Sequence, residues 1–94
     1  MGLTEKDTAH IFRAFGDENR IRILQLLQKG EMCAFMLLQA LEISQPTLSH
    51  HMKILCEAGV VTARREGKRT IYALSHSDIT AAVSYLQQLV DIES

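Results

Sequence analysis

Between two apolar helical stripes this chain leaves only three residues. Met36, Leu37, Leu38 and Leu41 close the first stripe, while Leu48, Met52 and Leu55 recur at i, i+4 and i+7 to form the second. Glu42-Ile43-Ser44 is all that joins them. So short a joint forces a helix-turn-helix, because the second helix must set off at a steep angle within a few ångströms of the first. Ser44 suits the N-cap, and Pro46 falls in the first turn, where its missing N–H costs nothing. The spacing predicts a helix over about 45–58, stopped by Ala58-Gly59.

The rest of the chain divides around this pair. Thr4 and Asp7 have capping-box spacing ahead of Ile11, Phe12 and Phe15, which predicts a helix over about 5–15 ended by Gly16. Asp17 can cap a second helix, about 18–29, with Ile21, Leu24 and Leu27 on one stripe, Ile23 and Leu26 beside it, and Gly30 at its end. The helix that enters the three-residue joint is expected over about 32–41. Val60–Arg65 and Arg69–Leu74 alternate as strands do, and Glu66-Gly67-Lys68 between them suits a β-hairpin connection. Ser75 or Ser77 can cap a last helix, about 77–92, on which Ile79, Ala82, Val83, Leu86, Leu89 and Val90 make a regular apolar stripe. The expected architecture is mainly α with a small β-hairpin, a winged helix-turn-helix in the order α-α-α-α-β-β-α. With no linker, repeat or low-complexity tract, residues 1–94 read as a single domain. A domain this small buries little surface, so oligomerisation is an expected source of further stability.

Composition excludes several alternatives. The longest apolar run, Cys33–Leu38, is far short of the roughly 20 residues a membrane helix needs. No signal-peptide pattern follows Met1, so a cytoplasmic protein without membrane association is expected. Cys33 and Cys56 are too few for a disulfide scaffold and form no CxxC pair. No nucleophile with its base, carboxylate pair or glycine-rich phosphate loop is present, so an enzyme is not expected. The net charge of −1 conceals an asymmetry: residues 43–74 carry +3 and the remainder −4. A basic middle between acidic ends is the pattern of a local polyanion-binding surface.

In a winged helix-turn-helix the helix over 45–58 would be the recognition helix, entering the DNA major groove N-terminal end first. With Leu48, Met52 and Leu55 inward, His50, Lys53 and Glu57 point outward, flanked by Thr47 and Ser49. Gln45 at the tip can pair bidentately with an adenine edge, and Ser44, Thr47 and Ser49 carry hydroxyls for bases or phosphates. Lys53 suits phosphate, and Arg65, Lys68 and Arg69 of the hairpin suit backbone or minor groove. The candidate DNA contacts are therefore Ser44, Gln45, Thr47, Ser49, His50, Lys53, Arg65, Lys68 and Arg69. The adjacent His50 and His51 look like a metal pair but diverge by about 100° on a helix, which hinders chelation of one ion. His51 falls on the shoulder of the apolar stripe instead, where it would brace the helix. The plainer readings are a solvated helix face and a charged edge hairpin that avoids aggregation, which would leave a protein-interaction module on the same fold.

The segments FGDENRIRILQLL (15–27), GEMCAFMLLQAL (30–41), SQPTLSHHMKILCEAGVV (44–61) and REGKRTIYAL (65–74) together resemble the ArsR-type (ArsR/SmtB-like) family of small bacterial winged-helix repressors. The resemblance covers nearly the whole chain. It implies a homodimer, formed through the first and last helices (about 5–15 and 77–92), that binds an inverted-repeat operator in double-stranded DNA and represses transcription. It also raises the possibility of a metal- or thiol-responsive derepressor using Cys33 with Cys56, or His76 with Asp78. The family's thiolate sensors carry a Cys-x-Cys-Asp core in a run where this chain has Glu31-Met32-Cys33-Ala34-Phe35-Met36-Leu37-Leu38, so one cysteine survives and Phe35, Met36 and Leu38 stand at other ligand positions. The family's site on the last helix pairs Asp-x-His with His-x-x-Glu; here the start reads His76-Ser77-Asp78, in swapped order, and the far end offers Leu89 and Ile92. A single thiolate or half a site cannot supply the ligands a soft metal needs, so no metal or other cofactor is expected, and the sequence names no inducer.

Overall fold

The structure, a computed structural model, describes residues 3–91. Its elements are α1 (Glu5–Ala14), α2 (Glu18–Leu27), β1 (Met32–Cys33), α3 (Ala34–Leu41), α4 (Gln45–Glu57), β2 (Val61–Glu66), β3 (Arg69–Leu74) and α5 (His76–Val90). This is the winged helix-turn-helix expected, with one strand added. Ile92, matched to the far end of the family's metal site on the last helix, lies outside the described residues.

Local chemistry sets most element ends. Asp7 N–H donates to Thr4 Oγ1 at 3.0 Å and Thr4 N–H donates to Asp7 Oδ2 at 3.3 Å, a reciprocal capping box that starts α1. Asp17 Oδ2 accepts from the N–H groups of Asn19 and Arg20 and starts α2. Ser44 Oγ accepts from Thr47 N–H at 3.2 Å and starts α4, with Pro46 in the first turn. Ser75, rather than Ser77, stands at the cap of α5, but its side chain makes no capping hydrogen bond.

Two expectations about the strands change. Met32 and Cys33 are not the first residues of a helix; they pair antiparallel with Tyr72 and Ile71, making a three-stranded sheet in the order β1-β3-β2. A two-residue strand has no periodicity to read, and its partner lies about 40 positions away in sequence. The hairpin is also one pair longer than expected. Glu66 pairs with Arg69, leaving Gly67-Lys68 as a two-residue turn. Gly67 has φ 63°, as the first central position of a type II′ turn requires, and that turn matches the right-handed twist of the flanking strands.

The core runs between the helices: Ile11 and Ala14 of α1, Ile23 and Leu27 of α2, Leu37 and Leu41 of α3, Leu48, Met52 and Leu55 of α4, then Ala58, Val60, Val61 and Ala82. The buried stripe of α2 is turned relative to expectation. Ile21 is 36% exposed, and the inward positions are Arg20, Ile23 and Leu27. The predicted stripe of α5 finds little to cover it among the described residues. Ala82 is buried and Ile79 half-buried, but Val83, Leu86, Leu89 and Val90 are 59%, 46%, 62% and 71% exposed.

Candidate nucleic-acid interface

Helix α4 is divided cleanly by its own periodicity. Leu48, Met52 and Leu55 are buried, and Gln45, Thr47, Ser49, His50 and Lys53 are all exposed. The inward stripe fixes the helix against the core and so fixes which side chains it presents. At its N-terminal end Ser44 Oγ donates to Thr47 Oγ1 at 2.9 Å while accepting from Thr47 N–H. The Ser44 hydroxyl is thus committed to the cap, and the Thr47 hydroxyl keeps its own proton for an outside acceptor.

What holds α4 from behind is a buried polar network that sequence reasoning found only in part. His51 is buried, as its shoulder position suggested, and its Nδ1 lies 3.0 Å from Arg20 Nη1. Arg20 is itself buried. Its Nε donates to the Ala14 carbonyl at 3.0 Å and its Nη2 to the Arg13 carbonyl at 3.3 Å. These carbonyls close the last turn of α1, where the negative end of the helix dipole favours a cation; the Arg13 oxygen also accepts from Gly16 N–H at 3.0 Å. One guanidinium therefore joins the end of α1 and the start of α2 to the middle of α4. The available clue to Arg20 was its spacing, three residues before Ile23 and seven before Leu27, on the apolar side of α2.

The wing contains two kinds of basic residue. Arg64 is neutralised internally: Nη1 and Nη2 donate to Glu31 at 2.8 Å each, and Nε and Nη2 donate to Glu66 at 2.9 and 2.7 Å. Those bonds push the guanidinium pKa up and hold the Glu31 carboxyl below the usual carboxylate range. They also tie the wing to the turn between α2 and β1. Arg65, Lys68 and Arg69 are exposed and, like Lys53, form no ion pair among the described residues. Arg65 and Arg69 differ in strand register, Arg65 opposite Thr70 and Arg69 opposite Glu66, which puts them on opposite faces of the ribbon.

The alternative sensing residues are not gathered. Among the described residues no group of three or more His, Cys, Asp or Glu side chains is placed to hold a metal ion. Cys33 is buried in β1, and burial among apolar neighbours pushes the half-buried Cys56 thiol up, away from the thiolate that metal binding and oxidation require. The Asp78 carboxylate is packed against Gly59, where an added Cβ would overlap it.

A sequence model of the arsR family of bacterial regulatory proteins matches residues 17–63, a span that includes α2, α3 and α4 and runs into β2. The chain is 40% identical over 90 residues to a protein of Staphylococcus xylosus named as an arsenical resistance operon repressor, covering 96% of this chain and 83% of that one. In structure it is similar to an ArsR family transcriptional regulator with a TM-score of 0.87 over the full length of both chains, at 22% identity. It is also similar to a winged helix-turn-helix domain of Mycobacterium bovis, described as homodimeric and DNA-binding, with a TM-score of 0.75 at 27% identity, covering 99% of this chain and 94% of that one.

Proposed function

Because the chain belongs to the arsR family of bacterial regulatory proteins, we propose that it is a dimeric, sequence-specific DNA-binding repressor of transcription. The observation that carries this reading is the pairing of a rigidly backed polar helix face with free cations on the wing. In it, Gln45, Thr47, Ser49 and His50 of α4 face the major groove, Lys53 meets a phosphate, and Arg65, Lys68 and Arg69 grip backbone or minor groove. Ser44 contributes by capping α4, which leaves the Thr47 hydroxyl to donate to the nucleic acid. Dimerisation through α1 and α5 would cover the exposed Val83, Leu86, Leu89 and Val90. A dimer also presents two copies of α4, as an inverted-repeat operator in double-stranded DNA demands. The Mycobacterium bovis neighbour is described as homodimeric, and the Staphylococcus xylosus relative is named a repressor, which supports both parts.

The test is selection of bound DNA from a random pool, followed by titration of the selected site at several salt concentrations. An inverted repeat is expected, with half-site centres about 10 bp apart. With Lys53, Arg65, Lys68 and Arg69 on phosphates in both protomers, log K should fall against log salt with a slope of about −7. A protein-interaction module on the same fold would enrich no sequence and retard no DNA at low salt.

A further inference from the structure

The buried face of the recognition helix is held by a bond that only a neutral histidine can make. A guanidinium has donors and no acceptor, so the 3.0 Å contact from Arg20 requires a lone pair on His51 Nδ1. The ring proton must then sit on Nε2, which points toward Asp17 Oδ2 at 3.8 Å, beyond hydrogen-bond length. A second proton would occupy Nδ1, remove the acceptor and set an imidazolium against the guanidinium in a buried site. The charged groups facing the ring are Asp17 at the start of α2, Arg20 within α2 and His50 on α4 itself. Of these only Asp17 favours the imidazolium, and its Oδ2 already accepts from Asn19 N–H at 2.9 Å and Arg20 N–H at 3.2 Å. Arg20 cannot retreat to relieve the repulsion without abandoning the Ala14 and Arg13 carbonyls.

We propose that Arg20 and His51 are positioning residues for DNA recognition and that their bond is a proton-sensitive latch, releasing α4 from α1 and α2 when His51 becomes charged. The proposal rests on the DNA-binding reading above for its function, but the latch itself is independent of DNA. Desolvation is the largest influence on the ring, with the neighbouring guanidinium acting in the same direction, and the histidine is held below its ordinary value of 6.5. The unfolded or released ring then takes its proton first as pH falls. Stability contributed by the latch is full above about pH 6.5 and is lost as pH drops through that value toward the folded pKa.

The test compares wild type with His51→Asn, whose amide oxygen can accept from Arg20 near the Nδ1 position and cannot titrate. Urea unfolding without DNA is measured at pH 7.5 and 5.5. The unfolding equilibrium constant of wild type should rise by up to about tenfold more than that of the variant across this interval. Affinity for the selected operator, taken as the ratio of wild type to His51→Asn so that changes common to both proteins cancel, should fall in the same interval. Nitrogen-15 spectra of the wild-type ring at pH 7.5 supply a readout that needs no variant, and they should show the Nε2–H form. Finding the Nδ1–H form, or parallel unfolding curves for the two proteins, overturns the latch. Loss of the unfolding difference and loss of DNA binding are separate results: if neither protein binds DNA at pH 7.5, the DNA-binding reading fails even where the unfolding curves diverge.

Discussion

The recognition helix and the wing are the two parts of this molecule that would touch DNA, and they are braced in opposite ways. Behind α4 the brace is buried: one guanidinium donates to a neutral imidazole and to two helix-end carbonyls. Behind the wing it is a solvent-exposed bidentate ion pair between Arg64 and Glu31, shared with Glu66. Water competes for the second arrangement and is excluded from the first. A buried polar bond is costly to break because its surviving partners cannot turn to solvent, whereas an exposed pair loses little when cut. The helix should therefore be held at a fixed pose, while the wing can adjust to the backbone it meets.

The sharpest way to break this comparison is Arg20→Ala. It leaves His51 Nδ1 and the Ala14 carbonyl without their partner and should lower unfolding free energy by about 3 kcal/mol in urea titration. A cost no greater than that of cutting the wing pair would refute the contrast. Next comes Gly59→Ala, at the joint between the two regions. Gly59 has φ +80°, and a Cβ there would displace the Asp78 carboxylate at the start of α5, so a loss of about 2 kcal/mol is expected in the same titration. Ser44→Ala removes the N-cap of α4 and should cost about 1 kcal/mol, with a further drop in DNA affinity because the Thr47 hydroxyl loses its partner. Arg64→Ala should have the smallest effect on stability: detectable by thermal unfolding at low salt and absent near 1 M salt, where the screening length is about 3 Å. The wing pair should also ignore mild acid. The Glu31 carboxyl is held below its usual range by Arg64, so its contribution is full at neutral pH and is lost only as pH falls through the carboxylate range, below the 6.5 at which loss of the latch begins.

What the sequence disclosed, and what it withheld, follows the range of the forces involved. Thr4, Asp17 and Ser44 were legible as caps because their partners lie two or three residues away. The inward turn of His51 was legible because helical phase places it beside Leu48, Met52 and Leu55. The wing hairpin was legible from its alternation and Gly67. Arg20 was not, because an arginine on a helix reads as surface until α1's end is known to lie beside it. The tie made by Arg64 was not legible because Glu31, 33 positions earlier, could not be seen to face it. Strand β1 and the turned stripe of α2 were missed for the same reason, being decided by neighbours distant in sequence. Of the candidate contacts, the structure supplies exposure and cap chemistry.

The exposed stripe on α5 has a consequence beyond the seat it offers a second copy. Under the dimer reading, part of the hydrophobic burial that stabilises this small domain is completed only between chains. Its unfolding midpoint then becomes a function of how much protein is present, obeying mass action instead of remaining a fixed property of the fold. At scarce copy number the regulator would lose, in one equilibrium, both its partner and a share of its own stability. The amount of the protein in the cell would thereby set how well each chain is folded as well as how fully an operator is occupied.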